Sequence, residues 1–260
     1  MTAAQRIALP ALFFATLIVA WEIAVHTAID PRFVPTPEGV VRAAVRTVSD
    51  GILAAALAGS LGRVLLGFAI GGAIGIPLGL GMGLIMPVDR ALRPIVDSLR
   101  SIAPIAWIPM AVLWLGIRGD AALFIVAYAA VFPFVINTIQ AVRLLDRGLV
   151  QAAQALGAGR WLILRAVVLP SAVPLILVGA RISMAFAWGS IIAAELAIGI
   201  KVTNGGGATI GLGQLMVETL YIRRDVDALV LFMIVIGLVS LAIDFGMRRL
   251  QGILLPWTRR

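Results

Sequence analysis

The 260-residue chain contains no cysteine, a single histidine, His26, and a single lysine, Lys201. Without thiols it has no disulfides, no iron–sulfur cluster and no thiolate chemistry, and one histidine cannot build a His-based metal site. Charge is also scarce. Only 13% of residues are charged, about half the share of a soluble domain, and the mean hydropathy is +1.06. Such a chain cannot clothe a globule in water, so the bilayer is its solvent. Also absent are a Gly-x-x-x-x-Gly-Lys-Ser/Thr phosphate loop, a His-Glu-x-x-His pair and a Gly-x-Ser-Gly nucleophile site. Nucleotide hydrolysis, zinc proteolysis and serine proteolysis therefore have no residues to perform them here. Nothing in the chain points to a catalytic residue, a cofactor or a metal.

What is present is 61% apolar residues, gathered into long runs. A membrane-spanning helix needs roughly 20 of them. Six stretches are expected to span, at about Ile7–Val25, Val64–Met86, Ile102–Leu115, Ala121–Gln140, Val173–Ile198 and Ala228–Met247. The first reads as a span and not a cleaved leader, because no cluster of positive charge precedes it. The third is short, and Pro104 and Pro109 predict that it bends. The expected fold class is all-α and integral to the membrane, with residues 1–260 forming one transmembrane domain.

The net charge of +8 is carried by arginine and is read as topology. With the N-terminus inside, Arg6, Arg90, Arg93, Arg100, Arg143, Arg147, Arg160, Arg165, Arg248, Arg249, Arg259 and Arg260 lie in the cytoplasm. The outer side then receives fewer arginines, diluted by Asp30, Glu38, Asp50, Asp120, Glu218, Asp225 and Asp227. Both termini are thus expected inside. Thr36-Pro37-Glu38 opens an outer surface helix over about 37–50, with a threonine cap, a first-turn proline and one valine-rich face. A glycine-rich outer segment at 201–213 predicts mobility or close backbone packing.

One polar island interrupts the second half of the chain. It runs Gln151-Ala-Ala-Gln-Ala-Leu-Gly157-Ala-Gly-Arg160 and on to Leu169-Pro170, and on the expected topology it is cytoplasmic. Residues 144–158 favour a short helix, with Asp146 near its positive N-terminal end and Gly157 or Gly159 as its stop. Ala152, Ala153 and Leu156 recur at helical spacing on one face, and Arg147 and Arg160 flank it. Such a segment reads either as a docking surface for a soluble partner or as an amphipathic helix resting on anionic lipid.

The spacing of this island resembles the cytoplasmic loop of membrane subunits in bacterial ABC importers, which reads Glu-Ala-Ala, three residues, Gly, nine residues, Ile, one residue, Leu-Pro. Ala152, Ala153, Gly157, Leu169 and Pro170 match; Gln151 replaces the glutamate and Val167 the isoleucine. Residues 99–109, Leu113-Trp-Leu-Gly-Ile117, Ala194-Glu-Leu196 and Leu254-Leu-Pro-Trp257 are similar to the nitrate/sulfonate/taurine branch of those permeases. The resemblance covers about Pro35 to Trp257. It implies a type I importer permease fold with a coupling helix in a docking loop at about 141–172. It further implies a homodimer, two cytoplasmic ATPase subunits that bind ATP and magnesium, and a periplasmic or lipid-anchored solute-binding protein. Docking on the ATPase would fall to Arg147, Gln151, Ala152, Ala153, Leu156, Gly157, Arg160, Leu169 and Pro170. The solute it implies is a small anion such as a sulfonate, nitrate, bicarbonate or carboxylate, and transport would proceed by alternating access in the bacterial inner membrane.

Candidates for the translocation path are the polar residues placed within spans: Asn137, Arg181, Ser183, Trp188, Ser190 and Glu195. Intramembrane charge marks function by default, but each candidate also has a packing reading. Glu195 can pair with an arginine, Arg181 can snorkel or pair, and Asn137 can bond between helices. Arg63 and Arg100 at expected span ends share the ambiguity. In the second span Gly67, Gly71, Gly75 and Gly79 form a stripe for close helix packing. The main alternative function is a stand-alone secondary transporter, but no inverted repeat is visible.

Overall fold

The computed structural model describes residues 35–117, 119–199 and 210–255, together with 12, 13, 15–17, 19–23 and 25. Among them every regular element is helical: α1 (Pro37–Ser49), α2 (Ile52–Leu84), α3 (Met86–Ser101), α4 (Ile108–Leu115), α5 (Gly119–Arg143), α6 (Arg147–Ala155), α7 (Arg160–Ile163), α8 (Leu169–Ile198), α9 (Leu212–Glu218) and α10 (Val226–Leu254). Four helices are long and apolar enough to cross a membrane: α2, α5, the continuous 39-residue helix Arg160–Ile198, and α10. A fifth crossing arises if α3 and the segment Pro104–Leu115, bent from it by 89°, count as one broken span. Within the expected first span at 7–25 the described residues 12, 13, 15–17, 19–23 and 25 are helical, whereas 201–209 of the glycine-rich segment lie outside the described residues.

One expected span needs correction. The second begins at Ile52, not Val64, because Arg63 is neutralised within the protein and does not mark a membrane boundary. The bend expected in the third is present, and it breaks the helix over 102–115. Ile102 and Ala103 are extended, a 3₁₀ turn follows at Pro104–Trp107, and only α4 is α-helical. Proline lacks the N–H to continue α3, and the residue before it is pushed toward extended backbone. Tyr128 pins this bend to α5 by donating its hydroxyl to the Leu99 carbonyl.

Helix α5 is the centre of the bundle, and α2 lies against it through the glycine stripe. Gly67 faces Val126, Gly71 faces Ala130, Gly75 faces Phe134, Gly79 faces Thr138 and Gly83 faces Val142. The constant offset shows two parallel helices held in one register. A Cβ on Gly75 would lie 2.7 Å from the Val131 carbonyl oxygen, so only glycine permits this approach. On the other side α8 runs antiparallel to α5. Ser183 donates to the Ala130 carbonyl, and a Cβ on Gly179 would meet Asn137 at 2.7 Å.

The outer elements close onto this trio. Trp188 on α8 donates to the Ile236 carbonyl of α10, and Gln251 of α10 donates to Leu177. Helix α1, capped by Thr36, is clasped to the start of α10, where Asp227 accepts from the Thr36 amide and Asp225 pairs with Arg46 at 3.2 Å. A buried cluster including Val64, Ile125, Val126, Ile191, Leu215 and Phe232 fills the α1 end of the bundle; Val142, Ile163 and Val168 form a smaller one at the α6 end.

Candidate functional site

The polar island folds into an angular projection at the end of the bundle opposite α1. Asp146 caps α6 by accepting from the Gly148 amide at 2.8 Å, and the helix runs for nine residues. It stops through a pair of reversed bonds. The Gly157 amide donates to Gln154, and the Ala158 amide donates to Ala153, with Gly157 in the left-handed region at φ 81°. That is a Schellman motif, and its apolar contact comes from Ala153 and Ala158, both packed against the Val142–Ile163–Val168 cluster. The expected helix over 144–158 is thus shorter at both ends.

No residue of α6 is buried. One side, Val150 and Ala153, rests on the bundle; this corrects the placement of Ala153 with the exposed residues. The other side carries Gln151 and Ala152 and leads to Leu156, which is 88% exposed, and to Trp161, 73% exposed. Arg147 and Gln151 also border a cleft of about 850 Å³ shared with Arg90 and Arg143. Beneath it, the nearly buried Asp89 of α3 accepts from both Arg93 and Arg143, which ties α3 to the end of α5. Arg160 opens α7, and its exposed side chain continues the same rim.

Leu169 and Pro170 lie one helical segment further on. Between Leu164 and Val168 the helix widens into a π turn, and the Leu169 amide donates to the Leu164 carbonyl. A proline inside a helix clashes with the carbonyl four residues back, and a widened turn just before it relieves that clash. The Leu-Pro pair therefore marks a joint between the α6 projection and the long helix α8.

The six intramembrane candidates separate into distinct settings. Glu195 is fully buried at the α1 end, where its carboxylate accepts from Ser60, from the Gly213 amide at 3.0 Å and from Arg63 at 2.7 Å. Gly211 and Gly213 are glycines because a Cβ at either would strike Glu195. Ser60 also accepts from the Leu212 amide, so this ring binds α2, α8 and α9 together. Ser183 is likewise enclosed. Both stood as path candidates with a packing reading beside it, and each is surrounded by partners supplied from neighbouring helices, which accords with packing. Arg181 pairs with Asp244 of α10 at 2.6 Å, and Asp244 also holds Arg248. Arg181 and the largely buried Trp188 border a cleft of about 440 Å³ between α8 and α10. Ser190 is half-buried on α8. Asn137 alone opens onto a second cleft, between α5, α8 and the α3–α4 bend.

The Glu195 ring makes a measurable claim. Replacing Glu195 by Leu removes the buried carboxylate shared by Arg63, Ser60 and the Gly213 amide, a loss of about 3–5 kcal/mol. The melting temperature of the purified chain is expected to fall by about 10 °C for Glu195→Leu. Glu195→Gln keeps an acceptor for Ser60 and Gly213 and is expected to lose less than half as much. Equal melting of the two variants would mean the ring does not hold this end closed.

Sequence comparison agrees with this architecture. Residues 75–260 match the family described as binding-protein-dependent transport system inner membrane component. The chain is 34% identical over 247 residues to the taurine transport system permease protein of Escherichia coli K12, covering 93% of this chain and 86% of that one. It is 32% identical over 197 residues to a bicarbonate transport system permease protein of Synechocystis, covering 76% and 67%. Its fold is shared with the inward-facing MetNI methionine ABC transporter, at a TM-score of 0.64 and 22% identity over 77% of this chain and 94% of that chain. A bundle of apolar helices with the fold of a type I permease, matched over most of its length by importer subunits, belongs to the family of inner-membrane permease components of binding-protein-dependent ABC importers.

Proposed function

We propose that two copies of this chain form the path of an importer for a small anion, driven by separate ATPase subunits that dock on the loop at 141–172. The observation that carries the docking assignment is the α6 projection: a capped, Schellman-stopped helix with no buried residue, its exposed side leading to Leu156 and Trp161. A rigid knob with an exposed tryptophan on a basic rim is built to enter a partner's cleft, since interface hot spots are enriched in tryptophan, tyrosine and arginine. Arg147, Gln151, Ala152, Gly157 and Arg160 form that surface, Ala153 supports it, and Leu169 and Pro170 mark the joint behind it. ATP and magnesium belong to the partner, because this chain has no phosphate loop.

The α6 end then faces the cytoplasm together with both termini, and the α1 end faces a solute-binding protein. The charge distribution supports this orientation. At the α1 end Arg42, Arg46, Arg63 and Arg223 are matched by Glu38, Asp225, Glu195 and Glu218. At the α6 end Asp89 and Asp244 are each shared between two arginines, leaving positive charge in excess. An anionic solute is favoured because the relatives carry taurine, a sulfonate, and bicarbonate in their names.

The test is purification of the tagged chain from its native membrane in mild detergent, with identification of bound subunits and an ATPase assay. Recovery of an ATPase with vanadate-sensitive activity and a solute-binding protein is expected. A chain recovered alone that moves solute in vesicles without ATP would replace this reading by a secondary transporter.

A further inference from the structure

The break between α3 and α4 places charge where a membrane protein seldom tolerates it. Arg100 and Asp97 pair at 3.1 Å on the last turns of α3 and are 47% and 46% exposed. Their height is set by Tyr128, whose hydroxyl holds the Leu99 carbonyl and which lies well inside the 25-residue span of α5. A half-exposed ion pair at that depth does not face hydrocarbon; it faces protein or a water-filled cavity.

The cavity is present. Arg100 and Ser101 form one wall of a cleft of about 440 Å³, Asn137 of α5 forms another, and Phe132, Ile182 and Phe186 supply apolar and aromatic sides. This is the composition of a small-molecule site: mostly apolar walls with a few convergent polar groups. The Asn137 amide is steadied by donating to the Pro133 carbonyl at 2.8 Å. Arg100 is held by a partner that can be exchanged, because an exposed carboxylate pair contributes little. A guanidinium fork accepts a carboxylate or sulfonate equally well, so an incoming head group can take the place of Asp97.

We infer that this cleft is a site for a small organic anion, a sulfonate or carboxylate with a short apolar substituent. Arg100 and Asn137 receive its head group, and Phe132 and Phe186 receive its tail. The inference rests on the reading of this chain as the path for an anion and adds to it where the solute is held and by which residues. Arg100 replaces the buried Glu195 and Ser183 as the polar group that meets solute.

The absence of cysteine in the chain provides the test. In the complex with its ATPase, Ile182→Cys introduces one thiol per copy of the chain, on the wall of the cleft. It is treated with the anionic sulfonatoethyl methanethiosulfonate and with its cationic trimethylammonioethyl counterpart, each rate divided by the reagent's rate with 2-mercaptoethanol. The thiolate displaces methanesulfinate in both cases, so only the head group differs. The anionic reagent is expected to be favoured by about tenfold, the preference to vanish in Ile182→Cys with Arg100→Gln, and butanesulfonate to slow labelling more than sulfate does. Equal normalised rates, no labelling, or a preference that survives Arg100→Gln would overturn the site. ATP-driven uptake by the unsubstituted complex is read in parallel. Uptake without charge preference sinks the cleft alone, whereas a complex without ATP-driven uptake sinks the importer reading beneath it.

Discussion

Gly75→Leu is expected to leave almost no folded chain, whereas Gly81→Leu on the same helix is expected to be recovered at nearly the parental level. A Cβ at position 75 would lie 2.7 Å from both the Val131 carbonyl oxygen and the Phe134 Cβ, and the first is main chain that cannot rotate away. At Gly81 nothing lies within 4 Å. Overpacking a core costs about 1–3 kcal/mol even when side chains can shift. Here α2 would have to leave α5 altogether and surrender its register, so the loss exceeds that range. The readout is the monodisperse fraction of the detergent-extracted chain on size exclusion. Similar recovery of the two variants would show that α2 and α5 are not in direct backbone contact.

Leu156→Asp is expected to have the opposite signature, with full stability and no partner. The side chain is 88% exposed, so the substitution removes no packing within the chain, and its melting temperature is expected to stay within about 2 °C. At the tip of the projection, however, the proposed docking would force a carboxylate to be desolvated against the partner. Truncating such an anchor costs about 2 kcal/mol or more, which lowers ATPase recovery by at least about thirtyfold. Gly157→Val tests the same knob through its backbone, since a β-branched residue is strained at φ 81° and unwinds the stop of α6. Normal ATPase recovery with both variants would move docking elsewhere on this end of the molecule.

The sequence made α5, α8 and α10 legible because each is a long apolar run ending at charge, and it made the outer helix legible through its Thr-Pro-Glu cap. It failed where a charge is cancelled across the fold. Arg63 looked like the edge of a span, yet its partner Glu195 is 132 residues away, and no local pattern carries that fact. The same holds for Arg181 and Asp244. In the α3–α4 region Pro104 announced a bend, but the amphipathic α3 before it has no apolar run and so was not seen as part of a possible crossing.

The loop motif placed the short helix of the projection and concealed which way its residues turn. Spacing put Ala152, Ala153 and Leu156 together, whereas the Schellman stop turns Ala153 toward the bundle and Leu156 away. The glycines at 211 and 213 were legible only as packing or mobility; the cause of the packing is the buried carboxylate they surround. Arg100 stood among the ambiguous arginines at expected span ends, and the tie from Tyr128 to Leu99 reveals its depth.

The unbroken helix from Arg160 to Ile198 has a mechanical consequence. At 1.5 Å per residue, the distance from the π turn near Ala166 to Glu195 is about 43 Å. A rotation of only about 5° at that turn therefore sweeps the far end through about 4 Å, more than the length of a hydrogen bond. Displacement of that size is enough to separate Glu195 from Arg63 and from Gly213. Were the joint beside Pro170 to act as a fulcrum, the gear ratio would be set by how far along a single rod its two ends are spaced.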